Sequence, residues 1–172
     1  FRGHDSEINV LKSTTEDKWM LESEIGKMSK RYHNVVNPDE VVAEYGADCF
    51  RMYEMFLGPL EQSKPWDTKG ISGVSGFLRR YYSLFWNAKD EFILSDEIPT
   101  KEELKILHTC IKKVNQDIEA LSFNTSVSAF MICVNALKSI NCSKRSILIP
   151  LTQLLAPFAP FIAEDIYLNL TR

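Results

Sequence analysis

The sequence has 172 residues, of which 45% are hydrophobic and 25% charged, and its formal net charge is −3. This composition is typical of a globular chain and excludes an intrinsically disordered one. The acidic balance excludes a protein that binds nucleic acid with its whole surface, so any such contact must come from a local basic patch. No apolar run approaches the roughly 18 residues of a membrane span, and the cysteines form no C-x-x-C pair. We therefore expect a cytoplasmic protein with no membrane contact and no metal site.

Two short apolar stretches near the start of the chain predict a β-hairpin. They cover residues 8–11 and 18–21 and flank the polar segment 13–17, which has the composition of a turn. A two-stranded hairpin is marginally stable in water, so we expect this one to lean on a neighbouring structure.

A basic loop follows at residues 25–34, with the sequence IGKMSKRYHN. Lys27, Lys30 and Arg31 place three cations within five residues, and Ser29 lies between the two lysines. Two ammonium groups and a hydroxyl near one point form a cradle for an anion, and phosphate is favoured because lysine presents a compact point charge. The alternative is a solvated loop without a ligand, since the pattern K-x-x-K is short and common.

Two short helices are predicted after the basic loop. Asn37 is a good N-cap, Pro38 suits the first helical position, and Gly46 ends the first helix. The second helix is expected over about residues 48–57. Trp66, in the loop that follows, is expected to pin that loop to the core.

From about residue 70 the apolar periodicity predicts an antiparallel helical bundle. A long helix is expected over about 71–92, and Thr100 opens the next helix with a capping box. A further helix is expected over about 125–140, and the prolines after residue 143 predict kinks or breaks. The helix opened by Thr100 has an apolar stripe with three-four spacing, formed by Leu104, Leu107, Ile111, Val114, Ile118 and Leu121.

The predicted bundle also carries candidate nucleic-acid contacts. Arg79 and Arg80, with Lys64 upstream, are candidates for contacts with phosphates, and a solvated face is the alternative. The aromatic residues within 81–86 have the chemistry to stack on bases. Their helical spacing favours a place in the core instead.

Residues 27–31, Lys-Met-Ser-Lys-Arg, resemble the KMSKS signature of class I aminoacyl-tRNA synthetases. The similarity continues in order along the chain, from about residue 17 to the end, and residues 52–66 point to the leucine enzymes in particular. The sequence is thereby identified as similar to leucyl-tRNA synthetases of the bacterial type. The other stretches with this similarity are residues 34–39, 44–48, 123–125 and 154–160.

The resemblance implies an enzyme that activates leucine with ATP, with Mg in the full enzyme, and transfers the leucine to tRNA(Leu). It implies that Lys30 contacts ATP from a mobile loop, supported by Lys27 and Ser29, so that the two lysines are the expected catalytic residues. The bundle corresponds to the family's anticodon-binding-type domain and is expected to hold the tRNA body rather than to read the anticodon.

The expected fold is mainly α, with a small strand, loop and helix region before the bundle. The implied division is a remnant of the catalytic or inserted region at 1–24, the KMSKS loop and connecting helices at 25–69, and a truncated bundle at 70–172. The chain does not begin with Met and contains no HIGH-type signature. We therefore expect a piece of a longer enzyme that is inactive alone.

Four positions depart from the family pattern. Arg31 replaces the final Ser of the signature and keeps the loop cationic, whereas Tyr32-His33 replaces the usual Lys-Gly and predicts a stiffer loop. Phe161 stands where the family often has His. Three alternatives stay open: a non-catalytic RNA-binding helical module, a plain interaction bundle, and a class I synthetase for valine, isoleucine or methionine, against which residues 52–66 argue.

Overall fold

The computed structural model describes residues 7–13, 19–89 and 91–171, and of 7–13 and 19–25 it describes the backbone alone. Within these residues two strands precede seven α-helices, so the chain is mainly α, as predicted. Short 3-10 turns lie at Lys30–Tyr32 and Thr68–Gly70. The elements are β1 (Glu7–Ser13), β2 (Trp19–Ile25), α1 (Pro38–Tyr45), α2 (Ala47–Phe56), α3 (Ile71–Tyr82), α4 (Lys101–Glu119), α5 (Phe123–Ser139), α6 (Arg145–Leu155) and α7 (Pro160–Leu170).

The two strands pair antiparallel, with Glu7 opposite Ile25 and Ser13 opposite Trp19. This pairing confirms the predicted hairpin, although both strands extend beyond the apolar stretches from which it was predicted. Most of the predicted turn, residues 14–17, lies outside the described part of the chain.

Local capping signals fix the first two helices where they were predicted. The Asn37 side chain accepts the backbone N–H of Asp39 at 3.2 Å, and Pro38 occupies the first turn of α1. Gly46 ends α1 and precedes α2 with φ +88°, a left-handed backbone that a residue with a Cβ would adopt only at a cost. The chain therefore turns between the two helices without a longer connection.

The long helix predicted over residues 71–92 is wrong in its second half. α3 ends at Tyr82, because the Ser83 hydroxyl donates to the carbonyl of Arg80 at 2.8 Å and the next two backbone N–H groups bond three residues back. The side-chain oxygen of Asn87 then accepts two backbone N–H groups further along, at 2.8 and 3.0 Å, and closes a turn. Side chains that bond to the local backbone thus compete with the helix.

The capping box predicted at Thr100 is present and also joins two elements. The Thr100 hydroxyl accepts the N–H of Glu103 at 3.2 Å, and the Glu103 carboxylate accepts the N–H of Thr100. Lys144, just before α6, forms an ion pair with Glu103 at 2.9 Å. Burial alone would raise the pKa of the Glu103 carboxyl, but its hydrogen bonds from Thr100 and Lys144 outweigh burial and hold the pKa at about 2.

The apolar stripe predicted for α4 is rotated in the structure. Ile118 and Leu121 are exposed, at 37% and 54%, whereas Cys110 and Asp117 are buried. Asp117 is placed there because its carboxylate pairs with Lys113 at 2.5 Å, one turn earlier. The ion-paired carboxylate of Asp117 therefore lies at the edge of the core, where an apolar side chain was expected. The buried face of α4 consists of Glu103, Leu107, Cys110, Val114 and Asp117.

Buried side chains from α1 to α7 belong to one hydrophobic core. Trp66 is 7% exposed and packs edge-on against Tyr53, with ring centroids 5.1 Å apart, so it pins its loop as predicted. α6 continues through Pro150 and ends at Leu155, and α7 begins at Pro160. The predicted break therefore lies at residues 156–159, which include Pro157. The division at residues 24 and 69 remains a prediction, and buried residues on both sides of residue 70 share this core.

Candidate functional site: the basic loop

The basic loop is built around a short 3-10 turn that begins at its second lysine. Ser29 is extended, with φ −153° and ψ 137°, and its hydroxyl accepts the N–H of Arg31 at 3.3 Å. The Ser29 carbonyl accepts the N–H of Tyr32 at 3.0 Å. Ser29 is therefore the N-cap of the turn, and Lys30 is its first residue.

His33 closes this turn in the left-handed region, with φ +53° and ψ 29°. Its N–H donates to the Lys30 carbonyl at 3.3 Å. A side chain with a Cβ pays roughly 1–2 kcal/mol for this conformation, which glycine adopts freely. Glycine, which the resemblance leads us to expect at this position, would adopt the same backbone without that cost.

Asn34 ties the two ends of the turn together. Its side-chain oxygen accepts the N–H of Ser29 at 2.8 Å, and its side-chain N–H₂ donates to the Lys27 carbonyl at 3.4 Å. The residue is 8% exposed. Reasoning from the sequence gave Asn34 no role. The available signal was a polar residue at the end of the loop that caps no helix.

The cations of the loop face solvent. Lys27, Lys30 and Arg31 are exposed and Ser29 is half-buried, whereas Met28 packs against the core. Among residues 26–89 and 91–171, whose side chains the structure describes, no carboxylate forms an ion pair with these three cations. The structure thus places Lys27, Ser29 and Lys30 within one ordered segment, and their charge is available to an anion that arrives from outside the described chain.

Lys64, predicted to contact tRNA, lies at the base of the basic loop. It lines a cavity of about 340 Å³ together with Met28 and Trp66. Arg79 lines a different cavity, of about 550 Å³, with Tyr82 and the carboxylate of Glu44. The structure therefore does not bring Lys64 and Arg79 to one cavity.

The two adjacent arginines of α3 are held in different ways. Arg79 donates to the hydroxyl of Ser75 at 3.1 Å, within its own helix. Arg80 donates to the side-chain oxygen of Asn135 on α5 at 3.2 Å. Both side chains are exposed, and within residues 26–89 and 91–171 neither forms an ion pair with a carboxylate.

The aromatic residues within 81–86 divide between core and surface. Tyr81 and Phe85 are fully buried, as the preferred interpretation predicted. Tyr82 is 38% exposed and stacks on Trp86, with ring centroids 4.2 Å apart and planes 6° apart. Its Trp86 partner already covers one face of the ring.

The other reactive groups of the chain are structural. All four cysteines are buried free thiols, and burial raises the pKa of Cys49 and Cys142 to about 11, which keeps both unreactive.

Over residues 7–13, 19–89 and 91–171, no group of three potential ligands could hold a metal ion. In the same described residues, no helix combines the length and apolar character needed to cross a membrane.

Comparison with known proteins extends these observations. Residues 100–171 match the family model described as the anticodon-binding domain of tRNA ligase, which covers α4 to α7. The chain is 61% identical to a leucine–tRNA ligase of Cytophaga hutchinsonii over 92% of its own length and 17% of the relative's. It is 56% identical to the leucine–tRNA ligase of Parabacteroides distasonis, over 97% of this chain and 18% of that one.

A solved structure shares the fold. It is a LeuRS of Agrobacterium radiobacter in a ternary complex with tRNA and LeuAMS, with a TM-score of 0.68 and 30% identity over 86% of this chain and 21% of that one. The chain spans less than a fifth of the length of the curated relatives it matches. The identities, the family match and the shared fold together show that this chain belongs to the leucine–tRNA ligase family and corresponds to one segment of its members.

Proposed function

We propose that this chain supplies the loop that stabilises the phosphates of ATP, and a tRNA-contacting helical domain, to a cytoplasmic enzyme that joins leucine to tRNA(Leu). The observation that carries the proposal is the ordered basic loop, with exposed Lys27 and Lys30 on a backbone fixed by Ser29 and Asn34. The enzyme as a whole would activate leucine with ATP and transfer it to the tRNA. This chain contributes only part of such a site and is expected to be inactive alone.

The chemistry of activation explains why exposed cations would be needed. The leucine carboxylate attacks the α-phosphorus of ATP, and the bond to pyrophosphate breaks. Negative charge grows on the departing pyrophosphate, and the ammonium groups of Lys30 and Lys27 offset it while the Ser29 hydroxyl supports the same segment. A well-placed donor of this kind contributes about 3–4 kcal/mol to transition-state stabilisation. Magnesium, when bound to the ATP of the complete enzyme, would neutralise part of the remaining phosphate charge.

The helical domain is proposed to contact the body of tRNA(Leu) rather than its anticodon. The match of residues 100–171 to an anticodon-binding domain supports an RNA-contacting role for α4 to α7. Arg79 and Arg80 are proposed phosphate contacts because both are exposed and the side chains that accept their hydrogen bonds, those of Ser75 and Asn135, are neutral. Lys64 is proposed as a separate contact near the basic loop, because it lines a different cavity from Arg79.

The test uses a full-length leucine–tRNA ligase that contains this segment. Lys30→Ala is expected to slow leucine-dependent ATP–pyrophosphate exchange by about a hundredfold or more, since it removes a transition-state contact. The dissociation constant for tRNA(Leu) should change little. Lys112→Ala, which removes an exposed lysine of α4, is the matched control and should leave the exchange rate unchanged.

The same experiment separates the alternatives. A wild-type exchange rate after replacement of both Lys27 and Lys30 would refute the role of the loop and favour a plain interaction bundle. A lack of tRNA binding by the isolated chain at low salt would exclude the non-catalytic RNA-binding module. Exchange in the unmutated enzyme that depends on valine, isoleucine or methionine rather than on leucine would point to a ligase for another amino acid.

A further inference from the structure

We infer that Asn34 is a positioning residue for the basic loop, which acts on ATP only through the lysines that it orients. This inference rests on the proposed function of the loop. Asn34 follows the cationic residues 27–31, and its side-chain amide bonds to the backbone of that segment at Lys27 and at Ser29. It makes one hydrogen bond as an acceptor and one as a donor, at 2.8 and 3.4 Å.

The two bonds bracket a single residue. Asn34 bonds to the Lys27 carbonyl on one side of Met28 and to the Ser29 N–H on the other. Its side-chain amide thus pairs with the backbone on both sides of Met28 in the way that a residue of a neighbouring β-strand would. In an extended backbone, side chains alternate between two faces. Met28 accordingly packs into the core while Lys27 is exposed. Asn34 therefore selects which face of the loop carries the cations.

The second bond also sets the start of the 3-10 turn. Ser29 is the N-cap of that turn, and its N–H is the group that Asn34 holds. Fixing this N–H fixes the extended backbone of Ser29, from which Lys30 leaves as the first residue of the turn. One side chain thus relates the direction of Lys27 to that of Lys30.

The left-handed backbone of His33 explains how Asn34 reaches these partners. With φ +53°, His33 reverses the chain at the end of the turn and returns Asn34 beneath Ser29. Asn34 is 8% exposed, so water competes poorly for its amide. Alanine at this position would leave the Ser29 N–H and the Lys27 carbonyl without their partner and would free the loop to sample other conformations.

The experiment compares variants in a full-length leucine–tRNA ligase that contains this segment. Asn34→Ala is expected to lower kcat of ATP–pyrophosphate exchange by about tenfold or more, since two hydrogen bonds no longer select the productive loop. The KM for leucine should stay near the wild-type value, because both bonds act on the lysines that are proposed to contact the phosphates of ATP rather than leucine. Should Asn34→Ala fold poorly, Asn34→Ser, whose shorter side chain reaches neither partner, is measured in its place.

A double-mutant cycle distinguishes a positioning role of Asn34 from a merely structural one, because only a positioning role makes the effect of Asn34→Ala depend on Lys30. If Asn34 acts through the lysines, the combined Asn34→Ala and Lys30→Ala variant is little slower than Lys30→Ala alone. Fully additive losses would overturn the positioning role. A wild-type rate for Asn34→Ala beside a slow Lys30→Ala would overturn this inference but leave the proposed function intact, whereas a wild-type rate for Lys30→Ala would remove the proposed function itself.

Asn37→Ala is the matched control. Asn37 lies three residues further on and also accepts a backbone N–H, but its partner is in α1 rather than in the loop. Its loss should lower the melting temperature slightly and leave kcat near wild type. An equal fall in kcat for Asn34→Ala and Asn37→Ala would show that any local destabilisation slows the reaction, and the specific role of Asn34 would be withdrawn.

Discussion

The N-terminus of α7 depends on a carboxylate from a distant helix. Its N-cap residue, Ala159, has no side-chain acceptor, and Pro160 supplies no N–H. Asp48 of α2 accepts the N–H of Phe161 at 3.2 Å with one oxygen and the N–H of Ile162 at 2.7 Å with the other. We predict that Asp48→Ala destabilises the protein, because it leaves both N–H groups without an acceptor.

The magnitude follows from the geometry. Loss of a capping side chain typically costs about 0.5–2 kcal/mol, and a hydrogen bond to a charged group is worth about 1.5–3 kcal/mol. These values overlap rather than add. Asp48 is 8% exposed, so water replaces it poorly. We therefore expect Asp48→Ala to lower the free energy of unfolding by about 2–3 kcal/mol, and Asp48→Asn, which keeps one acceptor without the charge, by about half of that.

Urea-induced unfolding followed by far-ultraviolet circular dichroism measures this difference. Glu164→Ala removes an exposed carboxylate from α7 itself and is the matched control, expected to change stability by less than about 0.5 kcal/mol. A loss for Asp48→Ala no larger than that of the control would refute the reasoning, because the cap between α2 and α7 would then contribute nothing measurable.

Three further predictions concern an ion pair, the loop backbone and the bundle surface. The pKa of Glu103, held at about 2 against burial by its hydrogen bonds from the backbone and from Lys144, lies below its value in the unfolded chain. The ionised Glu103 side chain therefore contributes roughly 2 kcal/mol to the free energy of unfolding above about pH 5, and this contribution is lost as the pH falls towards 2. Glu103→Gln should flatten the pH dependence of stability in urea within that window, and an unchanged slope would contradict this. His33→Val should remove hydrogen-exchange protection from the amides of the 3-10 turn, because a β-branched residue disfavours a φ of +53°, whereas His33→Gly should keep it; equal protection in the two variants would show that the left-handed backbone is not required. In a complete ligase, Arg79→Ala or Arg80→Ala should weaken binding of tRNA(Leu) and reduce the slope of log Kd against log salt by about 1 each, and an unchanged slope would exclude a phosphate contact.

Features that depend on neighbouring residues in the sequence could be predicted from it. The caps at Asn37 and Thr100 act over two or three residues, and both are present as predicted. The strand pairing and the mainly α bundle also follow from local periodicity. The end of α3 was missed because the helix-forming pattern continues past Ser83, and side-chain bonds to the local backbone, rather than a loss of apolar residues, end the helix.

Features that depend on distant contacts could not be predicted. Nothing in the sequence around Asp48 shows that its carboxylate reaches residues 161 and 162. From the sequence alone, an aspartate such as Asp117 is expected at the solvent-exposed surface of its helix. In the structure it is buried, because its carboxylate pairs with Lys113. For the basic loop, the charges could be predicted from composition, but the amide clamp of Asn34 requires the chain reversal at His33 and was visible only in the structure.

The central claim is that the basic loop acts in amino-acid activation, and separation of the two reaction steps tests it most directly. In a single-turnover experiment with a complete ligase, Lys30→Ala should form leucyl-adenylate about a hundredfold more slowly than the wild type. Transfer of leucine from added leucyl-adenylate to tRNA(Leu) should stay within about twofold of the wild-type rate, because no triphosphate is cleaved in that step. Unchanged adenylate formation, or an equal loss in both steps, would contradict the account.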